Sequence, residues 1–184
     1  MKVHVLSSFI VLASLAVQSH AALNAYLTIK GQKTGIFTGG VVQKGRDGKI
    51  MVIAVDHDIT SPRDPQSGLP TGRRRHMPIK MTMEIDRATP LIFNALSTNE
   101  NLPEVTLDFW SPQNKGGAGV GSEVQHYSIR LTNANISAIH FAMPNNKNPD
   151  LMRYTETIEV SFTYQKIEWI WKDGGVMATD SWNN

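Results

Sequence analysis

The residues able to do chemistry in this chain are few and scattered. Asp56, His57 and Asp58 stand together and have the composition of a metal or acid/base site. In an extended chain Asp56 and Asp58 point one way and His57 the other, so the three do not converge without a bend. They read better as a polar strand end. The histidines His4, His20, His57, His76, His126 and His140 are dispersed, with His126 and His140 on separate predicted strands. Glu84 and Asp86 share one face of a predicted strand; paired carboxylates can cleave glycosides, but a solvated face is much the better reading. No G-x-S-x-G or H-E-x-x-H pattern is present. The absence of cysteine excludes disulfides and thiolate metal sites. These residues predict no catalytic centre, no metal and no cofactor.

The remaining concentration of charge is Arg73-Arg74-Arg75-His76, inside the stretch Ser61 to Pro78 (SPRDPQSGLPTGRRRHMP). Pro62, Pro65, Pro70 and Pro78, interspersed with Gly68 and Gly72, forbid a helix or a central strand. A long, shaped loop follows, of the kind that carries function in compact domains. It holds Arg63, Arg73, Arg74, Arg75 and His76 against one acid, Asp64. No aromatic residues interleave with the arginines, which argues against nucleic acid and for an acidic protein surface. The expectation is a basic arm contacting other subunits through Arg63, Asp64, Arg73, Arg74, Arg75 and His76.

The flanking elements are strands. Ala25 to Lys30 alternates and ends at Gly31. Asp47-Gly48 marks a turn before Ile50 to Val55, an unbroken apolar run that suggests a strand buried on both faces. Ile79, Met81, Met83 and Ile85 alternate with polar residues in a half-buried strand. Thr89 to Asn99 predicts the one helix, with Thr89 as N-cap, Pro90 at the first helical position and Leu91/Ala95 and Ile92/Leu96 pairs on its apolar side. Strands follow at Val105 to Trp110, Tyr127 to Leu131 and Ile139 to Met143. Ser111 to Ser122 is a glycine-rich, mobile loop without the spacing of a phosphate-binding loop. Thr155 to Trp171 reads as the last and longest strand. Its apolar parity changes between Tyr164 and Ile167, which predicts a bulge or kink near Gln165-Lys166. Trp169 and Trp171 share a face and read as core. Together these elements predict a mainly all-β domain, a barrel or two packed sheets with one helix.

The 184 residues fit one domain, with 41% hydrophobic residues to build a core and a net charge of only +2. Lys2, the uncharged run Val5 to Val17 and the small residues Ser19 and Ala21 follow the three-part pattern of a secretory signal peptide. The apolar run is too short to span a bilayer. Residues 1–21 are thus expected to be a leader and 22–184 the folded domain.

Several stretches carry a family resemblance. AYLTIKGQKTG from Ala25, QKGRDGKIMVIAVDHDI from Gln43, the arm from Ser61, PLIFNALSTNENLPEV from Pro90, MPNNKNPDLM from Met143 and EVSFTYQKIEWIW from Glu159 span nearly all of the chain after Ala22. In these the chain resembles the Hcp family (haemolysin-coregulated proteins), the tube proteins of bacterial type VI secretion systems. The resemblance implies a β-barrel of two packed sheets with one flanking α-helix and a long extended loop. It implies homohexameric rings that stack into a secreted tube inside a contractile sheath, behind a spike protein. Small effectors can ride in the lumen, which makes the barrel a chaperone for cargo. It implies neither an enzyme nor a cofactor, no nucleic-acid partner and no stable membrane insertion. The stretch Ser61 to Pro78 corresponds to the arm that touches neighbouring subunits or the next ring. Lys172 to Asn184 is too short to be an added toxin domain.

The leader departs from that pattern, because a tube subunit leaves the cytoplasm through the apparatus. Either the true start lies downstream, or this copy passes through the periplasm as an exported Hcp-like barrel acting as a binding or interaction module. A small periplasmic hydrolase is the third reading, and no acid/base pair supports it.

Overall fold

The computed structural model describes residues 23–112 and 123–183. The expected leader and most of the glycine-rich loop lie outside the described residues. Strands β1 (Asn24–Gly31), β2 (Gly35–Ile36) and β3 (Ile50–Asp56) lead to a two-stranded ribbon of β4 (Ile59–Thr60) and β5 (Arg75–His76). Then come β6 (Ile79–Glu84), α1 (Thr89–Ser97), β7 (Leu102–Pro112), β8 (Glu123–Ala142), β9 (Thr157–Trp171) and β10 (Val176–Ser181). The large sheet runs β10-β9-β6-β3-β1-β7-β8 and closes because β8 also pairs with β9. Six strands therefore form one barrel, the two expected walls being continuous in hydrogen bonding. Closure leaves no unpaired edge around the ring of strands.

The alternating residues fill the interior. Leu27, Ile29, Met81, Met83, Val105, Leu107, Leu131, Val160 and Phe162 are all buried. On β3 only Ile50 and Val52 are; Met51 and Ile53 face outward and are exposed. The apolar run there does not mean burial on both faces. An antiparallel barrel strand has one inner face, and its outer face is covered only where a helix lies. The helix covers β8 instead.

Helix α1 is built as its sequence suggests, with the start shifted. Ala88 occupies the N-cap position and Thr89 is the first helical residue, with Pro90 second. The polar work falls to Asp86, whose carboxylate accepts the Ala88 N–H at 2.8 Å, while Thr89 Oγ1 accepts the Asp86 N–H at 3.0 Å. At the other end Asn99 adopts φ 48°. The Glu100 N–H then reaches the Ala95 carbonyl (2.9 Å) and the Asn99 N–H reaches Leu96 (3.2 Å), a Schellman closure.

Two expectations about the later strands are corrected and a third is refined. The segments around Tyr127–Leu131 and Ile139–Met143 are one 20-residue strand, β8. Bending, not a break, separates them: Asn133 has φ 48° and the register to β9 shifts between Ile136 and Ala138. The change of face on β9 is present, since Tyr164 and Ile167 are both buried. However, the β8–β9 register runs unbroken from Thr163 through Ile167. The irregular residue is Asn133 across the ladder, whose Nδ2 donates to Gln165 Oε1 at 3.0 Å. The change of face on β9 marks the place of the bend, and the residue with the unusual backbone stands across the ladder on β8. Nor is β9 the last strand. Gly174 and Gly175, at φ 82° and 67°, turn the chain into β10, which pairs back along Lys166–Trp171.

Candidate functional site

The arm leaves the barrel at the end of β3 and returns at the start of β6. Its proline-rich sequence forms a narrow ribbon. Ile59 pairs with His76, Thr60 with Arg75, and an isolated bridge joins Arg63 to Pro70. The tip closes on itself through Asp64. Its Oδ1 accepts the N–H groups of Gln66 (3.0 Å) and Ser67 (2.7 Å) and the Ser67 hydroxyl (2.8 Å). Those Ser67 bonds hold the Asp64 carboxyl below its usual range. Arg63 reaches the Gly68 carbonyl at 3.3 Å.

The base of the arm is latched to β9 and β10. His76 is buried, with Nδ1 2.8 Å from the Tyr164 hydroxyl and Nε2 3.2 Å from Asp180 Oδ2. His57 Nε2 lies 2.8 Å from the same hydroxyl. Arg74 makes a two-pronged pair with Asp180 through Nε and Nη2. Trp182 closes the cluster, its ring 5.0 Å from Tyr164 and 5.8 Å from His76. The bonds define one proton arrangement. Next to a carboxylate, His76 Nε2 carries the proton, which leaves Nδ1 to accept from the Tyr164 O–H. The Tyr164 oxygen then accepts from His57 Nε2–H.

The electrostatics agree. Arg74 holds the Asp180 carboxyl below its usual range, against the opposing effect of burial. Burial, then the proximity of His76, pushes His57 down. Burial, helped by Asp180, pushes the Tyr164 phenol up, so it stays a hydrogen-bonding hydroxyl. Arg73 and Arg75 remain exposed, as does Leu69 at the tip. Of the six arm residues singled out in the sequence, Arg74 and His76 are thus committed to the chain's own β10 and β9, and Asp64 to its own turn.

The other candidates are placed as follows. Asp56 and Asp58 are exposed and His57 turns inward, so the three diverge. His126 and His140 lie on the single strand β8, not on separate strands, far apart along it. Glu84 accepts from the Thr155 hydroxyl at 3.1 Å, and Asp86 serves the helix start. Trp169 packs on the core while Trp171 is half exposed. Among the described residues no three His, Cys, Asp or Glu side chains converge as a metal site.

Sequence reasoning missed Tyr164, Asp180 and Trp182 as partners of the arm. The Gly174-Gly175 pair, a hairpin-turn signal directly after the last predicted strand, was the available sign of β10. It also missed Arg46, a buried guanidinium whose centre lies 4.1 Å from the Trp110 ring and 5.2 Å from Tyr26, paired with Glu123. This stack ties the Gly39–Lys49 loop to the ends of β1, β7 and β8.

Comparison with known proteins places this architecture. A family model described as "Type VI secretion system effector, Hcp" matches residues 26–171. The "Major exported protein" of Pseudomonas aeruginosa is 33% identical over 172 residues, covering 89% of this chain and 97% of its own length. A crystal structure of an Hcp protein matches with a TM-score of 0.78 at 30% identity, covering 89% of this chain and 99% of that one. A mutant Hcp1 from the E. coli EAEC 042 pathovar matches at 0.74 and 28% identity, covering 88% and 99%. The secreted protein Hcp3 from Pseudomonas aeruginosa matches at 0.70 and 27%, covering 89% and 100%. The family match takes in the closed barrel, the arm and α1, and the chain belongs to the Hcp family of type VI secretion proteins.

Proposed function

We propose that this chain is a structural tube subunit, exported through a type VI apparatus, that forms homohexameric rings stacking into a hollow tube. The reading includes a contractile sheath around the tube, a spike protein at its tip and small effector proteins as lumen cargo. It assigns the chain a structural role and no catalysis. The observation that carries it is the arm: its base is locked into the barrel through Arg74, His76 and Tyr164, while Arg73, Arg75 and Leu69 stand free at the surface. A rigidly held arm with exposed arginines along its length suits a heterologous contact, in which two different surfaces of identical subunits meet. Arg63, Arg73 and Arg75 are the contact residues in this reading. Asp64, Arg74 and His76 shape and hold the arm that presents them.

The test compares the chain from Ala22 onward with its Arg73→Glu, Arg75→Glu double variant, by light scattering and negative-stain microscopy at moderate salt. Rings in the parent, and smaller species in the variant with an unchanged thermal midpoint, are expected. A parent that stays monomeric at high concentration would sink the tube reading. It would favour the second one, an exported Hcp-like binding module, for which the leader-like pattern from Lys2 to Ala21 speaks.

A further inference from the structure

The arm and an apolar groove occupy opposite ends of the same two strands. β3 and β6 are antiparallel, with Val52 opposite Met83 and Asp56 opposite Lys80. The arm leaves at the Asp56 and Ile79 end. Beyond that end its base continues along β9, with His76 on Tyr164 and Arg74 on Asp180, whose register partner is Ile167. On β9 the partners of β6 are Thr157–Phe162, so this path leads away from the other end of β3 and β6. At that other end, roughly 17 Å back along the strands, lies a groove of about 330 Å³ lined by Val41, Val42, Met51, Glu84, Ile85 and Asp86. Its apolar residues have no cover: Val42 is 85% and Ile85 44% exposed.

The two ends are complementary. The arm presents Leu69 at its tip, 65% exposed, beside Arg63 at the Arg63–Pro70 bridge, with Arg73 and Arg75 exposed nearer its base. The groove presents an apolar floor with Glu84 and Asp86 on its rim. Arg87, the nearby cation, donates through Nε to the Gly39 carbonyl at 2.6 Å. Because the latch directs the arm away from its own groove, a copy displaced along the strand direction is the one in line to receive it. Such a contact is heterologous and does not close on itself, so it propagates as a stack.

We propose that the groove between the Val41–Val42 segment, Met51 and Ile85 receives the arm tip of a second copy of this chain, Leu69 entering it and Arg63 facing Glu84 and Asp86. This rests on the tube reading above and names the surface on which the arm lands.

The natural absence of cysteine makes a clean test possible. Leu69→Cys and Val42→Cys variants are purified separately, mixed and oxidised, with Leu69→Cys plus Val176→Cys as the control pair. The expected result is a covalent heterodimer from the first mixture, mapped to positions 69 and 42, and a ladder when both changes sit in one chain. In parallel, Arg63→Glu should weaken stacking about tenfold or more, and adding Glu84→Lys should restore it. Oligomers that form without a 69–42 crosslink, or with equal crosslinking in the control, would overturn the docking surface and leave the tube reading standing. Monomers under every condition would overturn both. All five positions are on the surface, so loss of the fold does not compete as an explanation.

Discussion

Tyr164 is bonded to two histidines through one oxygen, and removing that oxygen isolates its role. Tyr164→Phe keeps the ring and its contact with Trp182 but leaves His76 Nδ1 buried without a partner. An unsatisfied buried polar group costs about 1–3 kcal/mol, which should appear as a lower urea midpoint with an unchanged slope. An unchanged midpoint would mean that the hydroxyl is dispensable and the latch rests on Arg74 and Asp180 alone. At this scale the sequence was a poor guide. His76 and Arg74 stand in a run of basic residues and look identical in kind to Arg73 and Arg75. What separates them is the alternation of the β5 ribbon and the position of Asp180, more than 100 residues later.

The arm as an element depends on pH through His57. Its folded-state pKa lies below the ordinary imidazole value because burial and the nearby His76 oppose its charge. The unfolded chain therefore binds that proton more readily than the folded one. Stability is complete above the unfolded pKa of about 6.5 and declines as pH falls below it. Other groups face the cluster: His76 from β5, Tyr164 from β9, Asp180 from β10, Arg74 beside β5, and Asp56 and Asp58 adjoining His57. Asp180 has a depressed pKa, so its contribution persists to the usual carboxylate range near pH 4 and is lost below it. Amide-exchange protection factors in residues 57–78, taken relative to the intrinsic rate at each pH, should therefore fall in two steps on acidification, the first below about pH 6.5. His57→Gln should remove the first step and leave the second. A first step that survives this substitution would assign it to another group.

For the whole molecule, assembly and folding should respond differently to salt. The exposed arginines interact through solvent, where charges separated by more than about 8 Å are screened at physiological ionic strength. Raising salt should dissociate oligomers of the wild-type chain well before it lowers the unfolding midpoint, because the closed barrel is held by apolar burial. Light scattering and thermal unfolding in the same buffers decide this. Oligomers that persist at high salt would show that apolar contacts, such as Leu69 in its groove, dominate the association.

The amino-acid sequence by itself determined what depends on near neighbours. Period-two alternation placed β1, β6, β7 and most of β9. Pro90 and the apolar spacing placed α1, and the density of proline and glycine placed the arm. Composition and the quoted stretches were also enough to indicate the family. Only the tertiary structure decided what depends on residues brought from afar. It exposed Met51 and Ile53 because the helix covers β8 rather than β3. It joined two expected strands into β8 because a bend at Asn133 is compatible with continuous pairing to β9. It divided the arm's basic residues into those that latch and those that reach because β10 returns beside β9 and sets Asp180 under Arg74. Local propensity acts through bonds a few residues apart, whereas burial and charge pairing depend on which strand lies alongside.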